Sequence, residues 1–181
     1  IEVNTSMGRA GVRTNAQGVE LARLAGSLPG VDFRGVMSHQ HLAEYTDQES
    51  RILEARQYIQ ICLDVKAAIE EAGIEVEMVS SGETFSYDAA ADMEGVDDVE
   101  GGTYALMGTR YDFMEEFDVA NKVLGTVIST PSEGIAIGDV GMRALSSPAG
   151  NFPTVEGMPG VTVEEVLEEH IVLRTDGGAS L

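Results

Sequence analysis

The sequence predicts an α/β protein in two parts: half of a (β/α)₈ barrel, followed by part of a mostly antiparallel β-domain. Over residues 1–116, apolar strand-like runs alternate with helical patterns, and polar residues stand where each run ends. Parallel β/α folds place their binding sites at such strand ends. Over residues 117–181, β-rich runs are separated by Pro, Ser and Gly turns, mostly without a long helix between them. We therefore expect a domain boundary after residue 116.

The chain opens on a predicted strand end and a capped helix. Residues 1–3, I-E-V, have the pattern of a strand already under way, and no initiator methionine precedes them, so we expect a fragment of a longer protein. After a polar loop, Thr14 and Gln17 have the spacing of a capping box. They predict a helix that runs through Leu28 and ends at Pro29.

Two further strands flank a long predicted helix. Residues 31–37 form the first strand, which ends on the polar sequence S-H-Q-H. Thr46 and Glu49 fit a second capping box and predict a helix that Gly73 closes. The next strand, residues 74–79, stops at small hydroxyl residues and a glycine, as a buried strand does when it leads into a binding loop.

The remaining elements are predicted from shorter patterns. We expect a fourth barrel strand at residues 104–107, after an acidic stretch at residues 92–100 that has the composition of a solvated surface segment. The β-rich runs of the second part are residues 122–129, 134–139 and 169–173, whereas the pattern of residues 161–167 fits a strand or a short helix equally well.

The charge balance excludes two classes of partner. The 181 residues include 31 Asp and Glu but 11 Lys and Arg, a formal net charge of −20. Such a surface repels nucleic acid and anionic membranes, so we expect neither as a partner. Dense carboxylates with scarce lysine are typical of proteins from concentrated salt, where screening removes the self-repulsion. We expect a salt-loving source; an acidic protein from ordinary salt is the alternative.

Cellular location and redox chemistry follow from what the sequence lacks. No apolar run approaches the ~20 residues that span a bilayer, and the first residues lack a signal-peptide pattern, so we expect a cytoplasmic protein. Cys62 is the only cysteine, which excludes a disulfide within the chain. It stands at helical spacing with Ile59 and Ile69, so we expect it in the core and not as a nucleophile.

The loop after residue 79 has the composition of an anion site. Ser81, Gly82 and Thr84 offer lightly covered backbone N–H groups and two hydroxyls, which suit a phosphate or a carboxylate. An ordinary polar turn has the same composition, and this loop alone favours that alternative. The recurrence of polar residues at the other strand ends favours a site.

Five segments carry patterns that occur in one order in a known family. Residues 3–12, V-N-T-S-M-G-R-A-G-V, are similar to V-D-T-G-M-G-R-x-G-V, and residues 80–88, S-S-G-E-T-F-S-Y-D, to S-G-G-G-T-x-T-Y-D. Residues 102–111, 139–146 and 168–170 are similar to G-S-Y-x-F-M-D-x-x-Y, D-A-G-x-K-A-L-S and E-E-H. Together they resemble the D-threonine aldolase and D-serine dehydratase-like family, pyridoxal-phosphate enzymes of the alanine-racemase fold.

This resemblance implies a fold, a cofactor and a set of binding residues. The chain would be the second half of the barrel with the beginning of the β-domain. Pyridoxal 5'-phosphate would be bound by Arg9, Ser81, Gly82 and Thr84, with Tyr87 and Tyr104 around it. The complete protein would be a homodimeric lyase for a small D-amino acid, by aldol cleavage or dehydration. A non-catalytic pyridoxal-phosphate carrier and an alanine racemase are the alternatives.

The catalytic base is predicted from a strand end that departs from the family pattern. That pattern is similar to G-L-x-x-Y-x-G-H, and residues 35–42 read G-V-M-S-H-Q-H-L. A deletion of one residue makes His41 the family's histidine and the general base. Without the deletion His39 takes the tyrosine position, and a third interpretation has both histidines simply lining a polar barrel mouth.

The remaining chemistry of the resembled family would lie outside these residues. The family's cofactor lysine follows the first barrel strand, upstream of residue 1, and neither Lys66 nor Lys122 stands at a predicted strand end. The divalent metal, zinc or manganese, would be held by a His-x-Cys or His-x-Asp pair after Leu181. His170 does not complete that pair, because Val172 stands two positions later.

Salt should stabilise the protein if its carboxylates repel one another. We expect the unfolding midpoint to rise with potassium chloride, because the Debye length shortens to ~3 Å at 1 M. The measurement is thermal unfolding across a salt series, with an uncharged osmolyte at equal osmolality as control. A flat or falling midpoint would favour the acidic protein from ordinary salt.

Overall fold

The computed structural model describes residues 1–145 and 151–176, so the end of the 139–146 motif lies outside the described residues. The chain divides into two compact units. The first comprises Ile1–Ala105 and Phe113–Glu115, and the second comprises Leu106–Asp112 and the described residues from Glu116 onward. The boundary after residue 116 stays a prediction about domain organisation.

The first unit begins with the predicted capped helix. Helix α1 spans Asn15–Ser27, and the Thr14 side chain accepts a hydrogen bond from the N–H of Gln17 at 3.2 Å. The Gln17 side chain accepts in return from the N–H of Arg13, one residue earlier than in a capping box. The prediction of this helix is confirmed.

The long helix is confirmed, but its predicted start is wrong. Helix α2 spans Gln48–Glu71, and Asp47, not Thr46, is its N-cap: Asp47 Oδ1 accepts from the N–H of Ser50 at 2.8 Å. A carboxylate is the stronger cap, since it also favours the positive end of the helix dipole. Gly73 follows the helix with φ +81°, a conformation that glycine adopts without strain.

Short parallel strands form the sheet of this unit. Strand β1, Gly35–Ser38, pairs in parallel with strand β2, Met78–Ser81, in the register Gly35↔Met78. Both strands are shorter and later than the predicted 31–37 and 74–79. The backbones meet where Gly35 permits it: a Cβ there would lie 1.9 Å from the Met78 carbonyl oxygen.

The sheet continues on both sides of this pair through single bridges. On one side the N–H of Val3 donates to the Met37 carbonyl at 2.7 Å, so residues 1–3 do form a parallel strand end. On the other side Asp98 bridges Ser80 in parallel, and its carbonyl accepts from the N–H of Ser81 at 2.9 Å. A parallel segment therefore continues the sheet beyond β2.

That second bridge corrects two predictions. The acidic stretch 92–100 is not all solvated surface, because the Asp97 side chain accepts from the N–H of Val79 at 2.8 Å. The predicted fourth strand at residues 104–107 is wrong, since a short 3₁₀ turn, Thr103–Ala105, starts there and Leu106 is exposed. The carboxylates of Asp97 and Asp98 hydrogen-bond to β2. Charged residues therefore occupy the position beside β2 that the prediction gave to the apolar strand 104–107.

The core of the first unit lies between α1, α2 and the sheet. Cys62 is fully buried in it, as predicted, and burial raises the pKa of its thiol. The helices approach closely at Gly18, where a Cβ would lie 2.6 Å from Val65 Cγ1. The buried members of this core are Val3, Ala22, Val36, Cys62, Val65, Ile69, Val76 and Val79.

The second unit is an antiparallel sheet, in agreement with its β-rich patterns. Its strands are β3, Val127–Ser132; β4, Ile135–Gly138; β5, Val161–Val166; and β6, Ile171–Thr175. They are ordered β3-β4-β6-β5, and every pairing is antiparallel. The segment that fitted strand or helix is therefore a strand. A short helix, Met142–Leu145, follows β4.

The α/β class is confirmed in coarse form, with parallel pairing in one unit and antiparallel pairing in the other. The assignment of the first unit to the second half of a barrel stays a prediction. In the part of the chain that the structure describes, no helix has the length and apolar character of a membrane-crossing segment.

The position of the α2 cap can be tested with two neighbouring variants. Asp47→Ala should lower the unfolding midpoint by a few degrees, because it removes the acceptor for the N–H of Ser50. Thr46→Ala should leave the midpoint unchanged. Thermal unfolding followed by helical circular dichroism compares the two, and a larger loss in the Thr46 variant would reverse the assignment of the cap.

Candidate functional site

The carboxyl ends of the parallel strands meet at one edge of the first unit, where the candidate site lies. A network of four buried polar side chains organises it: Ser38, Gln40, Ser81 and Ser86. Gln40 Nε2 donates to the hydroxyls of Ser38 and Ser81 at 3.0 and 3.2 Å. The two hydroxyls lie 2.7 Å apart, and that of Ser86 is 3.4 Å from Gln40 Oε1. We call these side chains the Gln40 network.

The Gln40 network faces helix α2. Val36, Ser38 and Gln40 are buried at alternate positions, and Val36 packs in the same core as Cys62. Ser38 also hydrogen-bonds the Cys62 thiol. Since side chains alternate along a strand, the residues between them point to the opposite face of the sheet.

Ser81 belongs to the network and not to that opposite face. Its hydroxyl bonds to Ser38 and Gln40, and its N–H bonds to the Asp98 carbonyl. The hydroxyl and N–H of Ser81, which the sequence offered to an anion, are thus already bonded within the protein. The geometry places Ser81 behind the loop, as a support, and its role as a cofactor residue stays a prediction.

The opposite face carries His39, an alternative to His41 in the sequence prediction, together with Ser80 and Glu100, which were not predicted as site residues. The Ser80 hydroxyl donates to Glu100 Oε1 at 2.6 Å and lies 3.3 Å from Asp98 Oδ2. His39 is half-buried, and burial, followed by the charges of Arg9 and His41, lowers its pKa, while Glu100 and Glu2 oppose this shift. The lowered pKa favours the neutral imidazole of His39, which can accept a proton at its unprotonated ring nitrogen.

His41, the predicted base, is an exposed residue that follows the same strand. Its N–H donates to Ser6 Oγ at 2.8 Å, and Thr5 Oγ1 donates to the His39 carbonyl at 3.2 Å. The loop after residue 3 therefore holds the backbone of both histidines. The charge of His41 contributes to the lowered pKa of His39. Alternation from the buried Val36 places both histidines on this face.

Gly82 and Thr84 lie in a buried loop, residues 82–86, after β2. Gly82 has φ +120°, and a Cβ there would lie 2.9 Å from Ala90 Cβ and 3.1 Å from Val99 Cγ1. Glycine is thus required here by close packing. Thr84 is buried, and its hydroxyl accepts from the N–H of Tyr104 at 3.1 Å.

The three other predicted cofactor residues are exposed. The Arg9 side chain is 57% exposed and lies 3.5 Å from Glu2 Oε1. Tyr87 begins a short helix, Tyr87–Ala91, and Tyr104 lies in the 3₁₀ turn beside Thr84. The structure brings Thr84 and Tyr104 together, and it places Arg9 near His39 through their electrostatic interaction.

These residues fit an anionic group such as a phosphate ester. A Cβ added at Gly102 would meet nothing within 4 Å, so the backbone next to Thr84 and Tyr104 is open. The Thr84 hydroxyl accepts one hydrogen bond there, and a hydroxyl has one proton to donate as well. Arg9 supplies a positive charge at the same edge. For a metal, the described residues contain no group of three or more His, Cys, Asp or Glu side chains that could bind one.

The fold defines a class of protein: a parallel β/α protein with polar side chains gathered at its strand ends. Residues 1–109 match the family model described as "Alanine racemase, N-terminal domain". The chain belongs to this family. A family model for a serine dehydratase domain matches residues 120–181.

Curated relatives are similar over nearly the whole chain. A D-threonine aldolase from Arthrobacter sp is 32% identical over 99% of this chain and 48% of its own length. A D-threo-3-hydroxyaspartate dehydratase from Delftia sp. (strain HT23) is 29% identical over 99% of this chain and 52% of its own. The chain spans about half the length of the curated relatives it matches.

A solved structure agrees with this relationship. The crystal structure of D-threonine aldolase from Filomicrobium marinum superposes with a TM-score of 0.89 at 26% identity, over 97% of this chain and 48% of that one. Alanine racemase from Bacillus anthracis, at 13% identity and a TM-score of 0.58, shares the fold.

The Gln40 network predicts a large cost for one substitution. Gln40→Ala should destabilise the protein by about 1–3 kcal/mol, because buried hydroxyls lose their amide partner. Gln60→Ala is the matched control, since Gln60 bonds Asp64 on the exposed face of α2, and its loss should cost little. Denaturant unfolding measures both, and equal stabilities would contradict the role of Gln40.

Proposed function

We propose that this chain is part of a pyridoxal-phosphate-dependent, metal-assisted lyase that cleaves or dehydrates β-hydroxy-D-amino acids. The observation that carries the proposal is the match of both units, in order, to D-threonine aldolase and D-threo-3-hydroxyaspartate dehydratase. The polar strand ends support it, because they offer an anion site beside a neutral imidazole.

Two groups of residues would have different roles at this site: one would bind the cofactor, and the other supports the strand ends. The Thr84 hydroxyl and the open backbone at Gly102 would hold the cofactor phosphate, with Arg9 as the positive charge and Tyr87 and Tyr104 around it. When bound, pyridoxal phosphate supplies an electron sink for the substrate carbon. The Gln40 network joins the strand ends through buried hydrogen bonds, and would in this way support the residues that hold the phosphate and the backbone that carries the histidines.

A histidine nitrogen would move the proton of the β-hydroxyl. Two observations support His39 in this role: it is half-buried and its pKa is lowered, whereas His41, the base expected from the family pattern, is exposed. A divalent ion held by residues elsewhere in the full-length protein would polarise the same hydroxyl as a Lewis acid.

Two alanine variants test which histidine is the base. In the full-length protein, His39→Ala should lower kcat/KM for D-threonine or D-serine by about 10²–10⁴-fold, the range of general acid–base catalysis. His41→Ala should cost less, because the side chain is further into solvent. A larger loss of kcat/KM in the His41 variant would identify His41 as the base, as the family pattern predicts.

The reaction class has its own test on the same protein. Activity should require pyridoxal phosphate and should fall after chelation of divalent metal, with recovery when zinc or manganese is restored. Cofactor binding without any turnover of D-threonine or D-serine would indicate a carrier. Racemisation of alanine without cleavage would indicate a racemase.

A further inference from the structure

Glu83 is a buried carboxyl group in the middle of the loop of residues 82–86. The residue is 5% exposed, and its Oε1 has no hydrogen-bond partner among the described residues. The N–H of Phe85 bonds to the carboxyl group, and the N–H of Glu83 itself donates to Ser86 Oγ at 2.9 Å. A buried carboxylate oxygen without a donor is costly, which favours the protonated form.

Arg51 is the positive charge that acts on this carboxyl group. It lies in the first turn of α2, is 2% exposed, and has its Cζ 5.6 Å from the centre of the Phe113 ring. Its Nε also has no hydrogen-bond partner within the described ranges. The guanidinium opposes the protonation of Glu83 through space. The loop that contains Thr84 therefore includes a buried carboxyl with an oxygen that lacks a hydrogen bond, under the influence of a buried guanidinium whose Nε also lacks one.

The chain limits how far Glu83 can lie from the anion site. Consecutive Cα atoms are about 3.8 Å apart, so even with the two side chains extended in opposite directions a phosphate bound at Thr84 lies within about 15 Å of the carboxyl. Charges at this separation still interact when one of them is buried, because salt screens buried groups weakly. The pattern to which this loop is similar has glycine where this chain has Glu83.

We propose that Glu83 couples phosphate binding at this loop to the uptake of a proton, with Arg51 as the counter-charge that keeps this proton exchangeable. The inference rests on the proposed function, since it takes the cofactor phosphate to bind beside Thr84. Neutral Glu83 tolerates the phosphate, and anionic Glu83 repels it. Linkage requires the converse, so phosphate binding favours protonated Glu83.

The direction of the pH dependence follows from the burial of the group. Burial raises the pKa of Glu83 to about 7, against the opposing effects of the Phe85 N–H and Arg51. The carboxyl therefore ionises as the pH rises through neutrality. Between pH 6 and pH 8.5 the natural protein should lose affinity for pyridoxal phosphate. This loss should be about tenfold greater than the loss in a variant without the Glu83 carboxyl.

The test is calorimetric titration of the full-length protein with pyridoxal phosphate, from pH 6 to pH 8.5 in buffers of different ionisation enthalpy. Glu83→Gln, which keeps the size of the side chain, should bind equally well across this range apart from the ionisation of the phosphate itself, and should take up fewer protons at pH 7. Arg51→Met should keep Glu83 protonated and so retain tight binding at pH 8. Glu71→Gln removes one exposed charge and should behave as the natural protein.

The outcomes separate this inference from the proposed function. Equal proton uptake by the natural protein and Glu83→Gln, with the cofactor bound to both, would overturn the coupling alone. Failure of all four proteins to bind pyridoxal phosphate would overturn the proposed function and the coupling with it. Should Glu83→Gln fail to fold, the comparison of Arg51→Met with the natural protein at pH 8 decides. If Arg51→Met loses affinity at pH 8 as much as the natural protein does, the coupling is overturned.

Discussion

The hydrogen bonds of the Gln40 side chain are the constraint on which the strand ends depend. One amide group joins β1, β2 and the loop after β2, since it donates to Ser38 and Ser81 and its oxygen lies beside the Ser86 hydroxyl. Each of these groups is buried, so a lost partner would cost about 1–3 kcal/mol. Because Gln40 can satisfy them only when it faces α2, its neighbours His39 and His41 are placed away from that helix.

Carboxylates form hydrogen bonds within this fold as well as lying on its surface. Asp97 accepts from the N–H of Val79, and Ser80 donates to Glu100, so carboxylates satisfy polar groups at the edge of β2. In a chain with a net charge of −20, carboxylates bonded to backbone N–H groups and hydroxyls need no cation to be stabilised. The Glu83 carboxyl differs, because one of its oxygens is buried without such a donor.

Periodic patterns predicted the helices well and the strands less well. α1 and α2 carry caps and apolar stripes that are local in sequence, so their bounds were wrong by only a residue or two, as at Thr46 and Asp47. The ladder of β1 and β2 begins where Gly35 allows close approach, which depends on a partner strand more than 40 residues away. The wrong strand prediction at residues 104–107 has a similar cause, because strand pairing depends on residues distant in sequence. Their apolar pattern is that of a strand, but Asp98 already pairs with the edge of β2.

The candidate site could be located from sequence, but its side chains could not be sorted between the two faces of the sheet. Small polar residues at strand ends marked the edge, and Thr84 and Tyr104 do meet there. A shift of one residue in a strand exchanges ligand face for core face, so the choice between Ser80 and Ser81 requires the register. The register sets Ser81 with the buried Gln40 and sets Ser80 with Glu100. By the same alternation His39 and His41 both follow Met37 onto the face opposite α2, so alternation does not choose between them, and the proposal of His39 as the base rests on its greater burial.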